Sequence, residues 1–205
     1  MSKDNSTHPS PASSRTLILG SSSRYRKELL SRLNIPFEVA TPEVDETPRL
    51  NETPRDLALR LALAKARAVA SKYPEAVVIG SDQVADLEGE ALGKPGNHAN
   101  AVKQLQRMRG KTVIFQTALS VICLATGFEQ TDLATVKVSF RDLTDAEIES
   151  YLKAEEPYDC AGSAKSEGLG IALLAAIDND DPTALVGLPL IRTCHMLSAA
   201  GVKLL

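Results

Sequence analysis

Asp82 is the residue of this chain with the most chemistry to offer. Val77-Val78-Ile79-Gly80-Ser81-Asp82-Gln83 reads as a buried hydrophobic strand that runs into a carboxylate. Asp82 then falls where an open α/β sheet usually meets its ligand. A carboxylate ending a buried strand needs a partner to offset its desolvation. Upstream lies Ser21-Ser22-Ser23-Arg24-Tyr25-Arg26, between a strand and a helix. Backbone N–H groups at a helix start attract anions, and Arg26, one turn in, could grip a phosphate as a fork. A serine cap with surface arginines is the competing reading, and the segment alone does not separate the two. The acidic run Glu43-Val44-Asp45-Glu46 adds carboxylates that, with Asp82, suit a hard divalent ion; a solvated loop is the alternative. Lys65 and Lys94, the latter rigidly placed between Gly93 and Pro95, could neutralise a phosphate chain beside Ser21, Ser23 and Arg26.

These residues need elements to position them. Thr16–Leu19 reads as a strand, about Ser23 to Leu33 as a helix, and Phe37–Ala40 as a second strand. The stretch 41–52 is then a loop. Thr53 caps a helix with Pro54 at its first position, and Leu57, Leu61, Ala64 and Ala68 form its apolar stripe, with Lys65 on the flank. The strand ending at Asp82 is followed by a turn at 88–90 and a helix over about 98–109. Segments 113–124 and 131–140 pair as a hairpin around Thr126-Gly127. Thr144 and Glu147 form a capping box. A Gly-rich loop over 161–170 leads to a strand at 171–177, a turn at 179–182 and a closing helix over 190–200. The fold class is α/β: a mixed twisted sheet flanked by helices, with at least one antiparallel hairpin.

Composition narrows the field. With 43% hydrophobic and 24% charged residues the chain is a soluble globular type, one domain over 16–205 or two small lobes with a central cleft. A net charge of −3 gives no basic field for a nucleic-acid polymer, though a nucleotide needs only a local cluster of cations. No apolar run is long enough for a membrane span. Residues 1–15, rich in Ser and Pro, read as a disordered tail without the apolar core of a signal peptide. Cys123, Cys160 and Cys194 have no metal-ligand spacing and read as reduced thiols of a cytoplasmic protein. His8, His98 and His195 form no zinc pattern.

Taken in order, Ser21-x-Ser23-x-x-Arg26, Glu43-Val44-Asp45-Glu46, Ala64-Lys65-Ala66, Gly80-Ser81-Asp82-Gln83, Gly93-Lys94-Pro95, Ala161-Gly162-Ser163 and Val186-Gly187-Leu188-Pro189-Leu190 resemble the Maf-like nucleotide pyrophosphatases. The resemblance covers about residue 16 to the C-terminus. It implies an inosine-triphosphatase-like fold, a homodimer, and metal-dependent hydrolysis of a nucleoside triphosphate to a monophosphate and pyrophosphate. The metal is expected to be Mg²⁺, with Mn²⁺ an alternative. On the matching positions, Asp82 would accept the proton of the attacking water. Ser21, Ser23, Arg26, Lys65 and Lys94 would hold phosphates, and Asp45 or Glu46 would lie near the metal with Asp82. Tyr25, Gln83 and Glu167 resemble the branch that acts on 7-methyl-GTP. An aromatic face attracts a cationic base, and a carboxylate accepts both N–H groups of guanine's pairing edge. Two departures bear on selectivity: Tyr25 stands where members of that branch usually carry Trp, and Arg24 where Pro is common. A preference for dTTP, UTP or other modified nucleotides is the near alternative. A nucleotide-binding regulator of cell division is the distant one.

Overall fold

The computed structural model describes residues 15–205; the expected tail lies almost entirely outside them. The elements are strand β1 (Leu17–Gly20), helix α1 (Arg24–Ser31), β2 (Glu38–Ala40), α2 (Pro54–Ala70), β3 (Val77–Leu87), β4 (Glu90–Leu92), α3 (His98–Met108), β5 (Thr112–Cys123), β6 (Phe128–Phe140), α4 (Asp145–Glu155), β7 (Leu174–Asp178) and α5 (Leu190–Ala199). One seven-stranded sheet runs β2-β1-β3-β5-β6-β7, with β4 also paired to β3. The β1–β2 and β1–β3 pairs are parallel and the others antiparallel, so the sheet is mixed, as the elements predict. The expected hairpin is the β5–β6 pair, in register from Thr112 opposite Ser139 to Cys123 opposite Phe128. The Thr144–Glu147 capping box is present. Among the described residues no helix is long and apolar enough to cross a membrane.

Alternation along the strands sends side chains to opposite faces. Leu17, Leu19 and Ile79 pack with Leu29 and Leu30 of α1 and Met196 and Leu197 of α5. Ile18 and Val78 pack on the other face, against Ala66 and Val69 of α2. A third cluster joins Leu105 and Met108 of α3 and Ile148 and Leu152 of α4 to Phe115, Val136 and Phe140.

Three expectations are corrected. The strand does not end at Asp82. β3 continues to Leu87, because β5 pairs with it from Val78 through Asp86 and β4 takes up its last three residues. The neighbour β1 is what ends there, its last pair being Gly20 with Gly80. Residues 81–84 therefore have no strand beside them on that edge, and a notch opens between the end of β1 and the start of the β4 pairing. The inward stripe of α2 also differs: Leu57, Leu61, Lys65 and Val69 are buried, whereas Ala64 and Ala68 are only partly so. Lys65 sits in the middle of the packed face, not on its flank, because its charge is met there by a carboxylate of β3. Finally, β7 begins at Leu174. Segment 169–173 is a 3₁₀ turn, held out of the sheet by the Leu169 N–H bonded at 2.8 Å to the Glu155 carboxylate.

Close approach of α2 to β3 depends on small residues. A Cβ built on Gly80 would lie 2.4 Å from the Ala62 carbonyl oxygen and 2.5 Å from the Ala66 nitrogen, so backbone would have to move. Gly80→Ala is expected to cost about 1–3 kcal/mol or more, read as a lower urea midpoint. An unchanged midpoint would mean that α2 does not rest on this glycine.

Candidate active site

The notch is the floor of a cleft of about 610 Å³, large enough for a nucleotide. Asp82 and Gln83 are adjacent on β3 and so emerge on opposite faces of the sheet at its gap. On the α2 side, the Lys65 ammonium lies 2.7 Å from Asp82 Oδ1 and 2.7 Å from Glu46 Oε1. Lys65 and Asp82 are 6% and 7% exposed, deep enough that each needs the other. Glu46 is more exposed. Burial raises its pKa, but the hydrogen bond and charge of Lys65, with Lys94 and Arg26 farther off, bring it below the ordinary carboxylate value.

On the other side stands α1. Ser23 caps this helix by accepting the Arg26 N–H, and the Ser21 hydroxyl accepts the Ser23 N–H at 3.2 Å. Arg26 is partly buried. Its Nε donates to the Gly187 carbonyl at 2.8 Å and one terminal nitrogen to Ser21 Oγ at 3.3 Å. That leaves the far side of the fork for a ligand. Desolvation lowers the Arg26 pKa, opposed by the charges of Asp82 and Glu46.

Gly187 belongs to a loop that the sequence left without a role. Its carbonyl also receives the buried Ser81 hydroxyl at 3.1 Å, and its φ of 122° is open to glycine but strained for other residues. Gln83 Nε2 is bonded to Thr117 Oγ1 and to the carbonyls of Ala184 and Leu185 at 2.9–3.0 Å. Two carbonyls around it settle which end of the amide is nitrogen, so only Oε1 is free for a ligand. The loop is anchored by Asp181, which is fully buried and accepts N–H groups from Thr183, Ile191 and Arg192 at the start of α5. Asn179–Pro182 read as a turn; that Asp181 caps a helix about ten residues on left no local signature.

The predicted residues divide as follows. Ser21, Ser23, Tyr25, Arg26, Glu46, Lys65, Asp82, Gln83, Lys94 and Glu167 all line the one cleft. Asp45 does not: it is exposed and accepts the Thr47 N–H of its own loop at 2.9 Å, which fits it for shaping that loop and not for holding an ion in the cleft. Among the described residues no three His, Cys, Asp or Glu side chains gather as a metal site. Glu46 and Asp82 nevertheless converge on a single cationic atom of Lys65. Two carboxylates with phosphate oxygens completing the shell would suit a hard divalent ion.

A clamp not foreseen from sequence holds the loop that carries Glu46. Arg60 of α2 pairs with Glu52 through two nitrogens, at 2.5 and 2.8 Å, and donates to the Thr47 carbonyl at 3.1 Å. Hydrogen bonds from Arg60 and from the Arg49 backbone bring the Glu52 pKa to about 2.

Comparison with known proteins bears on what this cleft serves. The family model described as Maf-like protein matches residues 16–200. A protein of Albidiferax ferrireducens named 7-methyl-GTP pyrophosphatase is 73% identical over 191 residues, covering 93% of this chain and 96% of its own. One of the same name from Methylobacillus flagellatus is 58% identical over 189 residues, covering 92% and 98%. The solved structure of the Staphylococcus aureus Ham1 protein matches with a TM-score of 0.47 at 17% identity, over 62% of this chain and 73% of that one, too distant to carry an inference.

The clamp has a pH signature. Because the folded pKa of Glu52 is depressed, the clamp's contribution is complete above the ordinary value of 4.5 and fades as pH falls toward about 2. In Arg60→Ala the Glu52 carboxyl is expected to titrate upward from about 2 toward 4.5 by carbon NMR, stopping short of it while the Arg49 N–H still donates, with acid unfolding moved to higher pH. A wild-type Glu52 that already titrates at the ordinary value would refute the clamp.

Proposed function

Because the chain belongs to the Maf-like family, we propose that it hydrolyses 7-methyl-GTP to 7-methyl-GMP and pyrophosphate, clearing a modified nucleotide from the pool. The observation that carries this reading is the convergence of Asp82, Glu46 and Lys65 opposite Arg26 and Ser21 in one nucleotide-sized cleft. The names of the relatives, at 58–73% identity, support the choice of base.

In this reading a water oxygen bonds to the α-phosphorus as the α–β bridging bond breaks, and pyrophosphate leaves. Asp82 accepts the water's proton, its carboxylate oriented by the 2.7 Å bond from Lys65. The free side of the Arg26 fork, Lys94 at the mouth and Lys65 offset the negative charge of the phosphate chain. Ser21 and Ser23 fix Arg26 and the turn before α1, and their hydroxyls face the same phosphates. Glu46 and Asp82 would hold a divalent ion, whose chemistry is to neutralise charge on the phosphate oxygens. Tyr25 would stack on the base, Glu167 would accept its pairing-edge N–H groups, and Gln83 would brace the 184–187 loop while offering Oε1. Three free thiols, Cys123, Cys160 and Cys194, support a reducing cytoplasmic setting.

Pyrophosphate release with Mg²⁺ should be fastest for 7-methyl-GTP in a panel with GTP, dTTP, UTP and CTP, and should stop with chelator. Asp82→Asn is expected to lower kcat at least about 100-fold while nucleotide still binds. Full turnover in that variant would remove Asp82 as the base. Glu167→Gln should weaken 7-methyl-GTP and GTP alike relative to UTP, and an unchanged ranking would free Glu167 of any part in base choice.

A further inference from the structure

Asp159 follows α4 and has no part in the site described above, yet its carboxylate lines the cleft beside Tyr25. The Tyr25 ring already carries a cation. The Arg24 guanidinium carbon lies 4.8 Å from the ring centroid, and Arg24 Nη2 is 2.7 Å from Tyr25 Oη and 3.5 Å from Asp159 Oδ2. Both Asp159 oxygens are 3.5 Å from Tyr25 Oη, and Cys160 Sγ is 3.6 Å from Oδ1. The oxygen contacts are too long to use up a carboxylate's acceptor capacity. The side chains of Arg24 and Asp159 are 73% and 52% exposed, so their mutual pairing is weak and easily exchanged. An aromatic face with a half-free carboxylate beside it is a site for a delocalised planar cation, and Arg24 is such a group supplied by the chain itself.

We propose that Tyr25 and Asp159 form the subsite that selects a positively charged base, and that Arg24 occupies it in the free enzyme as a displaceable internal cation. The proposal rests on the reading that the cleft takes N7-methylated guanine nucleotides. Methylation at N7 gives the base a delocalised positive charge, so it can replace Arg24 on the ring and keep Asp159 paired. A neutral guanine can stack but leaves Asp159 without a cation if Arg24 is displaced. Arg24 thus raises the threshold for either base, and Asp159 rewards only the charged one. Glu167 acts separately, on the pairing edge that both bases share.

Calorimetric binding of 7-methyl-GMP and GMP to the full-length protein, without turnover, tests this directly. Wild type should prefer the methylated nucleotide. Asp159→Asn should reduce that preference by roughly 5- to 10-fold. Arg24→Gln should raise affinity for 7-methyl-GMP several-fold, since its competitor is gone. Both positions are exposed, and matching thermal melts would show the fold intact. A preference unchanged in Asp159→Asn, or a weaker affinity for 7-methyl-GMP in Arg24→Gln, overturns the subsite. Hydrolysis of 7-methyl-GTP by wild type, measured alongside, separates the two claims. Retained hydrolysis with an unchanged preference in Asp159→Asn removes the subsite alone. Absent hydrolysis with a preference that Asp159→Asn abolishes removes the activity and leaves the subsite standing.

Discussion

Lys65 puts an ammonium group into the packed face between α2 and β3, and the surrounding structure answers that charge. An ion so placed loses its hydration, a penalty of several kcal/mol recovered only through good geometry with an opposite charge. Asp82 supplies the buried partner and Glu46 a more exposed second one, each at 2.7 Å. The lysine reaches them because Gly80 lets α2 settle against β3 through Ala62 and Ala66. A wider helix–strand spacing would leave both charges stranded. The same contact that completes the core also sets the carboxylate proposed to do the chemistry, so stability and function share one pair of side chains.

The second constraint is the early end of β1. A sheet edge left unpaired over a few residues leaves room for segments other than a strand, and here the gap lies at Ser81 to Val84, of which Ser81, Asp82 and Val84 stay buried. The chain fills the rim of the gap with segments distant in sequence: the serine turn before α1, the acidic loop clamped by Arg60, and the 181–189 loop anchored by the buried Asp181. Gly187 links two of them, since one carbonyl receives both Arg26 and Ser81. Arg26 is thereby braced on one side and open on the other, which prepares it for an anion at little further entropic cost.

Much of this was legible beforehand. The hairpin, the capping box at Thr144, the cap at Thr53 and the mixed sheet all follow from local signals that need no distant partner. Ten of the proposed site residues do meet in one cleft. The role of Lys65 was misjudged because alanine is at ease half-exposed, so Ala64 and Ala68 mimicked a core stripe, while a lysine in the true stripe looks wrong until its carboxylate is known. Asp45 was grouped with Glu46 because neighbours in an acidic run look alike. Only the path of the loop decides which one turns inward.

The sequence by itself determined the kinds of elements, their order and the residue types able to handle a phosphate chain, because periodicity, caps and turn chemistry act over a few residues. Tertiary structure decided what those residues became. Asp82 lies within a strand and not at its end because β5 pairs with β3 on both sides of it, and it opens on a cleft because β1 stops; Gln83 has its nitrogen spent on a loop a hundred residues away, and Asp159 meets Tyr25 across 134 positions. Such pairings depend on which surfaces are brought into contact when the core closes, and no local pattern encodes them.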